Sequence, residues 1–98
     1  MNHQFSVTEN LCLNNSFGTI HEEDNVKLTV NVNILNETRG SFEYYSACGD
    51  WYAEGMLKFD EDKALVDYDG VFCLPEFILG KLEQLGYDVK YMRETLQD

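Results

Sequence analysis

The clearest pattern in the sequence is an alternation of hydrophobic and polar positions between residues 26 and 34. The hydrophobic positions are Val26, Leu28, Val30, Val32 and Ile34. Because successive side chains of a β-strand point to opposite faces, the pattern predicts a strand with one face in a core and one in water. The segment 36–40, Asn-Glu-Thr-Arg-Gly, has the length and composition of a hairpin loop, so the next strand should return antiparallel.

Three further strands are predicted after this loop, each joined to the next by a short turn. The strands are 41–47, 51–59 and 64–68, and the turns are 48–50 and 60–63. Alternation places Phe42 and Tyr44 on one face of their strand, and Glu43 and Tyr45 on the other. Connections this short favour an antiparallel meander, because parallel strands need long crossovers. Gly55, inside a strand, predicts a bulge or a close approach by another part of the chain.

The first 25 residues are mostly polar. Phe5 and Val7 alternate with polar neighbours, as do Leu11 and Leu13, which predicts one or two short strands. Residues 21–25, His-Glu-Glu-Asp-Asn, are predicted to form a charged turn before the strand that begins at residue 26.

A helix is predicted from about residue 74 to Gly86. Pro75 suits the first helical position, where no N–H is needed, and Gly86 suits the end because it tolerates a left-handed conformation. The apolar residues at helical spacing are Phe77, Ile78, Leu82 and Leu85. Residues 87–91 alternate again and predict a short closing strand, and residues 92–98 predict a polar tail with one helical turn. The predicted fold is α+β: a single domain, 1–98, with an antiparallel sheet of four to six strands and one C-terminal helix packed on one face.

The charge of the chain restricts its partners. Eighteen Asp and Glu residues outnumber seven Lys and Arg residues, for a formal net charge of −11 at pH 7. Phosphate backbones and anionic membranes select basic surfaces, so neither nucleic acid nor membrane is expected as a direct partner. Aromatic residues make up 13% of the chain, which is typical of a folded protein. No apolar run approaches the ~20 residues of a membrane span and the first residues do not open a signal peptide, so we expect a cytoplasmic location.

No pattern in the sequence names a reaction, and the protein is not expected to be an enzyme. There is no nucleophile elbow, no glycine-rich phosphate loop and no second histidine to complete a zinc helix around His21. The acidic segment 60–76 does not fit a calcium loop, because Leu65 would occupy the first ligand position. No metal, cofactor or catalytic residue is therefore predicted. The three cysteines are expected to be reduced and half-buried: Cys12, Cys48 and Cys73.

Acidic residues and tyrosines are concentrated in the middle of the chain. Between residues 50 and 69, seven acids accompany two lysines, a local net charge of −5. The seven acids are Asp50, Glu54, Asp60, Glu61, Asp62, Asp67 and Asp69. We expect them to form a partner-binding surface with Tyr45, Trp51 and Tyr52 as apolar anchors, since Tyr and Trp are enriched at interface hot spots. A simpler interpretation is that acidic loops keep the domain soluble, although −11 exceeds the roughly 2–8 charges that solubility requires.

The stretch from Gly40 to Val89 resembles small acidic open reading frames of phages and other mobile elements. Three segments carry the resemblance: Tyr52-Ala53-Glu54-Gly55-Met56-Leu57-Lys58-Phe59, Asp67-Tyr68-Asp69-Gly70-Val71-Phe72-Cys73-Leu74-Pro75 and Leu85-Gly86-Tyr87-Asp88-Val89. In size, acidity and lack of a catalytic signature the chain is similar to anti-CRISPR and anti-restriction inhibitors. That group shares no alignable motif, so the resemblance implies an inhibitor of host defence without assigning a role to any residue.

These observations lead to one expected function and three alternatives. The expected function is inhibition of a basic, nucleic-acid-handling defence complex, a nuclease or surveillance ribonucleoprotein, by steric and electrostatic occlusion of its nucleic-acid-binding surface. DNA mimicry by the acidic loops is one mode of such inhibition. The alternatives are an immunity protein or antitoxin that neutralises a nuclease toxin, an uncharacterised small hydrolase, and a housekeeping domain whose acidity only confers solubility. The sequence also leaves a homodimer open, because an exposed edge strand can pair two copies.

Overall fold

The protein is an antiparallel meander followed by two short helices. The computed structural model describes residues 2–14, 20–47 and 51–97, and the side chains of residues 2–10, 24–47 and 51–95. The elements, in chain order, are β1 (Asn2–Asn14), β2 (Ile20–Ile34), β3 (Arg39–Ser46), β4 (Tyr52–Phe59), β5 (Leu65–Tyr68), α1 (Glu76–Gln84) and α2 (Lys90–Gln97). The five strands form one sheet in the order β1-β2-β3-β4-β5, and every neighbouring pair is antiparallel. The predicted meander is confirmed, and the helices number two rather than one.

One hydrophobic core covers one face of the sheet. It combines alternating residues of β2 to β4 with Leu65 of β5 and apolar residues of the C-terminal region, all of them buried: Val26, Leu28, Val30, Val32, Phe42, Leu57, Phe59, Leu65, Leu74, Ile78, Leu79, Leu82, Val89 and Met92. Aromatic rings join the two layers, since the rings of Tyr44 and Phe77 meet edge to face with centroids 5.2 Å apart. The faces predicted for the strands of residues 26–34, 41–47 and 51–59 are therefore confirmed.

β1 and β2 are longer than the strands predicted for this part of the chain. Residues 21–25 do not turn but continue β2, so the prediction of a charged turn is wrong. The pairing shifts between Glu9 and Leu11, where Asn10 lies opposite Asp24 and Asn25. Asn25 has a φ of 58°, and its backbone N–H donates to Asn10 Oδ1 at 3.0 Å. A β-bulge therefore absorbs the turn-forming Asn residue without ending the strand.

Gly55 confirms the predicted close approach. The segment that follows β5 crosses the backbone of β4 so closely that a Cβ on Gly55 would lie 2.0 Å from the Asp69 carbonyl oxygen. A Cβ on Gly70, which has a φ of 91°, would lie 2.2 Å from the Glu54 carbonyl oxygen. Two glycines thus allow the two backbones to touch, and the contact holds the 69–70 segment beside the middle of β4.

The helix predicted up to Gly86 is present as α1, but its first residue differs from the prediction. Pro75 is the residue before α1, with φ −64° and ψ 148°, and not its first helical residue. At the other end Gly86, with φ 97°, ends the helix as predicted. Its N–H donates to the Glu83 carbonyl and the N–H of Tyr87 donates to the Leu82 carbonyl, the paired bonds of a Schellman motif.

The predicted closing strand at residues 87–91 is wrong, because α2 begins at Lys90 and residues 87–89 do not form a strand. The buried residues Val89 and Met92 are three positions apart, which is a helical spacing, while Tyr91 is exposed. The Asp88 carboxylate accepts the Lys90 N–H at 3.0 Å, which satisfies a backbone donor at the start of the helix. Strand pairing here is reduced to one parallel bridge between Ala64 and Asp88.

Candidate functional site

The face of the sheet opposite the core is open to solvent, and we call it the open face. It consists of the alternate residues of β1 to β4 that point away from the helices. The register brings these residues into rows across the sheet: Asn2–Asn33–Ser41–Met56, Gln4–Asn31–Glu43–Glu54 and Ser6–Thr29–Tyr45–Tyr52. The middle row therefore sets two carboxylates directly opposite each other on neighbouring strands.

Hydrogen bonds hold these two carboxylates in place. Asn31 Nδ2 donates to Glu43 Oε1 at 3.1 Å. The Tyr52 hydroxyl donates to Glu54 Oε2 at 2.7 Å, a charge-assisted bond. In the described residues the ion pairs are those of Arg93 with Glu76 and Glu83, so no lysine or arginine neutralises Glu43 or Glu54. The centre of the open face thus offers two positioned anionic acceptors.

The neighbouring Tyr52 interacts with these two carboxylates, and its pKa is raised as a result. The hydrogen bond to Glu54 is the main cause that raises the pKa of Tyr52 above 10.0, and the charges of Glu54 and Glu43 act in the same direction. Loss of the phenol proton would break the bond and place a third negative charge in the group. Tyr52 therefore donates a hydrogen bond to Glu54 at neutral pH.

A shallow depression lies over the middle of the open face. It has a volume of about 680 Å³ and is lined in part by Asn31, Ser41, Glu43, Glu54, Met56 and Asp69. Met56 is 40% exposed, so the floor includes apolar surface beside the carboxylates. Asp69 Oδ1 accepts the Met56 N–H at 2.9 Å, and this bond fixes the 69–70 segment along the border of the depression. The arrangement suits a basic side chain with an apolar stem, such as lysine or arginine.

The open face collects only some of the residues predicted for the site. Tyr45, Tyr52 and Glu54 lie together on it. The Trp51 side chain is half-buried and packs against the core, so the open face does not include it. Asp50 lies outside the described residues.

The acidic turn between β4 and β5 lies away from the centre of the open face. Asp60 is six positions after Glu54, about 20 Å in an extended strand. Between them the open face carries Arg39 directly opposite Lys58, and Asp67 lies opposite Lys58 on β5. Positive charge at Arg39 and Lys58 therefore lies between Glu54 and the acidic turn.

Two of the predicted acids also have a structural role. Asp60 Oδ1 accepts the backbone N–H groups of Asp62 and Ala64, both at 2.9 Å, and so closes the turn in which Lys63 has a φ of 62°. Asp69 is engaged by Met56 as described above. Glu61 and Asp62 are exposed at the tip of the turn.

Two residues of interest, Glu43 opposite Glu54 and the exposed Phe72, are absent from the site predicted from the sequence. Glu43 lies outside the acidic 50–69 segment, and only the β3–β4 register places it opposite Glu54. Phe72 is 97% exposed in the loop before α1, where the Tyr68 hydroxyl donates to its carbonyl at 2.9 Å. No periodicity marks Phe72, because it lies between elements. The expectation of half-buried cysteines is wrong for Cys73, which is exposed, while Cys48 and the Cys12 side chain lie outside the described residues.

Comparisons with protein-family models, with curated proteins and with solved structures found no match. The geometry of this chain is therefore the basis on which its function is inferred. Among the described side chains, no group of three or more His, Cys, Asp or Glu residues is placed to hold a metal ion. None of the helices in the described part of the chain has the length and hydropathy to cross a membrane.

Proposed function

We propose that the protein is an inhibitor that docks its open face on a basic surface of a nucleic-acid-handling defence complex. The observation that carries the proposal is the pair Glu43 and Glu54. Like charges directly opposite each other on neighbouring strands destabilise a sheet, by about 0.2–1 kcal/mol on the scale of cross-strand pairs. A lysine or arginine of a partner, placed between the two carboxylates, converts this repulsion into attraction.

The surroundings of the pair support a protein partner. Tyr45 and Tyr52 lie opposite each other in the next row, and tyrosine combines a large apolar surface with a hydrogen-bonding hydroxyl. The net charge of −11 favours a strongly basic partner and accelerates its association. Proteins that handle nucleic acids present such basic surfaces, because they bind phosphate. Occupation of that surface by this chain would exclude the nucleic acid.

A matched pair of double variants tests the proposal. Glu43→Lys with Glu54→Lys reverses the charge at the centre of the open face. Glu37→Lys with Glu94→Lys makes the same change in net charge at exposed positions in the β2–β3 loop and on α2. Phage plating is measured on bacteria with and without an active CRISPR or restriction system, and purified complexes are assayed for DNA binding with added protein.

We expect the wild-type chain to raise plating only where the defence system is present, and to displace DNA from the purified complex. The open-face variant should inhibit about tenfold less or worse, because close charge pairs at interfaces couple by more than about 1.4 kcal/mol. The control variant should retain inhibition. Equal inhibition by both variants, or no inhibition by the wild type in any system tested, would reject the proposal.

A third variant separates the open face from the acidic turn. Glu61→Lys with Asp62→Lys reverses the exposed charges of the turn and leaves Asp60, which closes it, unchanged. We expect a smaller loss of inhibition than from the open-face variant. A larger loss would show that the partner binds the acidic turn and not the open face.

A further inference from the structure

In the described part of the chain, the outer edge of β1 is the longest strand edge without a neighbouring strand. β1 is an edge strand of 13 residues, and no described strand pairs with its outer side. Proteins usually protect an edge by shortening it or by placing charges or proline on it. The opposite edge follows this rule, since β5 has four residues, includes Asp67 and is followed by Asp69. β1 contains no proline, and Glu9 is its only Asp, Glu, Lys or Arg residue.

The side chains of β1 are only partly covered by the molecule itself. Those on the core side, His3, Phe5, Val7 and Glu9, are half-buried, and Phe5 and Val7 pack against the core. Those on the open face alternate with them and are exposed. A further strand beside β1 would cover the remaining apolar surface of Phe5 and Val7.

We infer that β1 pairs with β1 of a second copy of this chain, antiparallel, about a two-fold axis at Ser6. In this register Ser6 lies opposite Ser6 of the second copy, and Phe5 lies opposite Val7. His3 then lies opposite Glu9 twice, so the one acid of the strand meets its one imidazole at both ends. The pairing joins residues of the same face, because each pair of positions is separated by an even number of residues.

Neighbouring two-fold registers lack this complementarity. An axis at Phe5 sets His3 opposite Val7, and an axis at Val7 sets Phe5 opposite Glu9. Only the axis at Ser6 satisfies the charged and the apolar positions together. Nine residues of each copy then pair over about 30 Å, and the sheet continues across the axis as ten strands.

The distribution of charge also permits two copies to meet at this edge. Four acids and one base precede Leu35, whereas fourteen acids and six bases follow it, so most of the net charge of −11 lies in the part of the chain away from β1. The axis is perpendicular to the sheet, so both open faces point in the same direction. This inference is independent of the proposed function, and the dimer would present two copies of the open face to one side.

Analytical ultracentrifugation of the full chain tests the pairing. A reductant is included, because the exposed Cys73 could otherwise cross-link the copies. We expect a particle of twice the 11.3 kDa chain mass. Ser6→Lys places two ammonium groups opposite each other on the axis and should weaken the dimer about tenfold or more. Gln84→Lys adds the same charge at an exposed position of α1 and should leave the dimer unchanged.

An exchange of the end pair tests the register. His3→Glu alone sets two carboxylates opposite each other, and Glu9→His alone sets two imidazoles opposite each other, so each should weaken the dimer. The double variant restores an acid opposite an imidazole and should recover the wild-type affinity to within about threefold. Circular dichroism confirms that each variant is folded. A monomeric wild type at concentrations on the order of 100 μM, a dimer insensitive to Ser6→Lys, or additive effects of the two exchanges would overturn the inference.

Discussion

Substitution of Gly55 by alanine tests the close contact between β4 and the segment that follows β5. Alanine normally strengthens a strand relative to glycine, so most strand glycines would gain stability from this change. At Gly55 the new Cβ would lie 2.0 Å from the Asp69 carbonyl oxygen and 2.7 Å from Phe42 Cζ. The structure therefore predicts the opposite sign.

The magnitude follows from the displacement that the new atom requires. To reach an ordinary contact of about 3.4 Å, the Asp69 backbone must move by about 1.4 Å. That movement disrupts the bond from the Asp69 N–H to the Met56 carbonyl, 3.1 Å, and the bond from the Met56 N–H to the Asp69 carboxylate, 2.9 Å. Overpacking costs about 1–3 kcal/mol and each lost hydrogen bond about 1 kcal/mol, so we expect a loss of about 3–5 kcal/mol.

Urea unfolding followed by far-UV circular dichroism measures the effect, with Gly80→Ala as the matched control. Gly80 lies inside α1, and a Cβ there meets nothing within 4 Å. Its replacement should stabilise the protein by about 1 kcal/mol, the difference in helix propensity. In thermal unfolding, the Gly55 variant should melt at least about 12 °C below the wild type. A Gly55→Ala protein as stable as the wild type would refute the close contact, and so would equal losses from both substitutions.

Three further predictions, the last with a matched control, concern single side chains. Burial raises the pKa of Tyr44 above 10.0, so the stability that the neutral phenol contributes is complete below about pH 10 and is lost as the pH rises further. The urea midpoint should therefore fall less between about pH 9 and about pH 11 in Tyr44→Phe than in the wild type. An equal fall would contradict the raised pKa of Tyr44. Glu54→Gln should lower the pKa of Tyr52 toward 10.0, as read from the pH titration of its labelled ring carbon by NMR, and an unchanged titration would exclude the bond between them. Leu82→Ala, at a fully buried position, should cost about 2–5 kcal/mol in urea unfolding. Phe72→Ala, at a residue 97% exposed, should change stability by less than about 0.5 kcal/mol, and comparable losses from the two would contradict the assigned burial.

The sequence alone determined the strands of the meander after residue 26 and their two faces. Alternation is a local property: each residue of a strand faces opposite to the next, whatever the strand pairs with. Because alternation is local, the structure of residues 21–25 and of the C-terminal end was harder to predict. Val89 and Met92 are compatible with either a strand or a helix until the core is known to cover both, and residues 21–25 look like a turn until a bulge allows β2 to continue through them.

The candidate site depended on tertiary structure to a greater degree. Tyr45, Tyr52 and Glu54 could be assigned to one face from alternation, but the register of β3 on β4 decided that Glu43 faces Glu54. Register is a relation between segments, so it cannot be obtained from the pattern of either one. The same relation set Arg39 opposite Lys58 and thereby divided acids that the sequence counts as one group. Side-chain facing is thus encoded residue by residue, whereas the distribution of charge over the surface arises only when the strands are aligned.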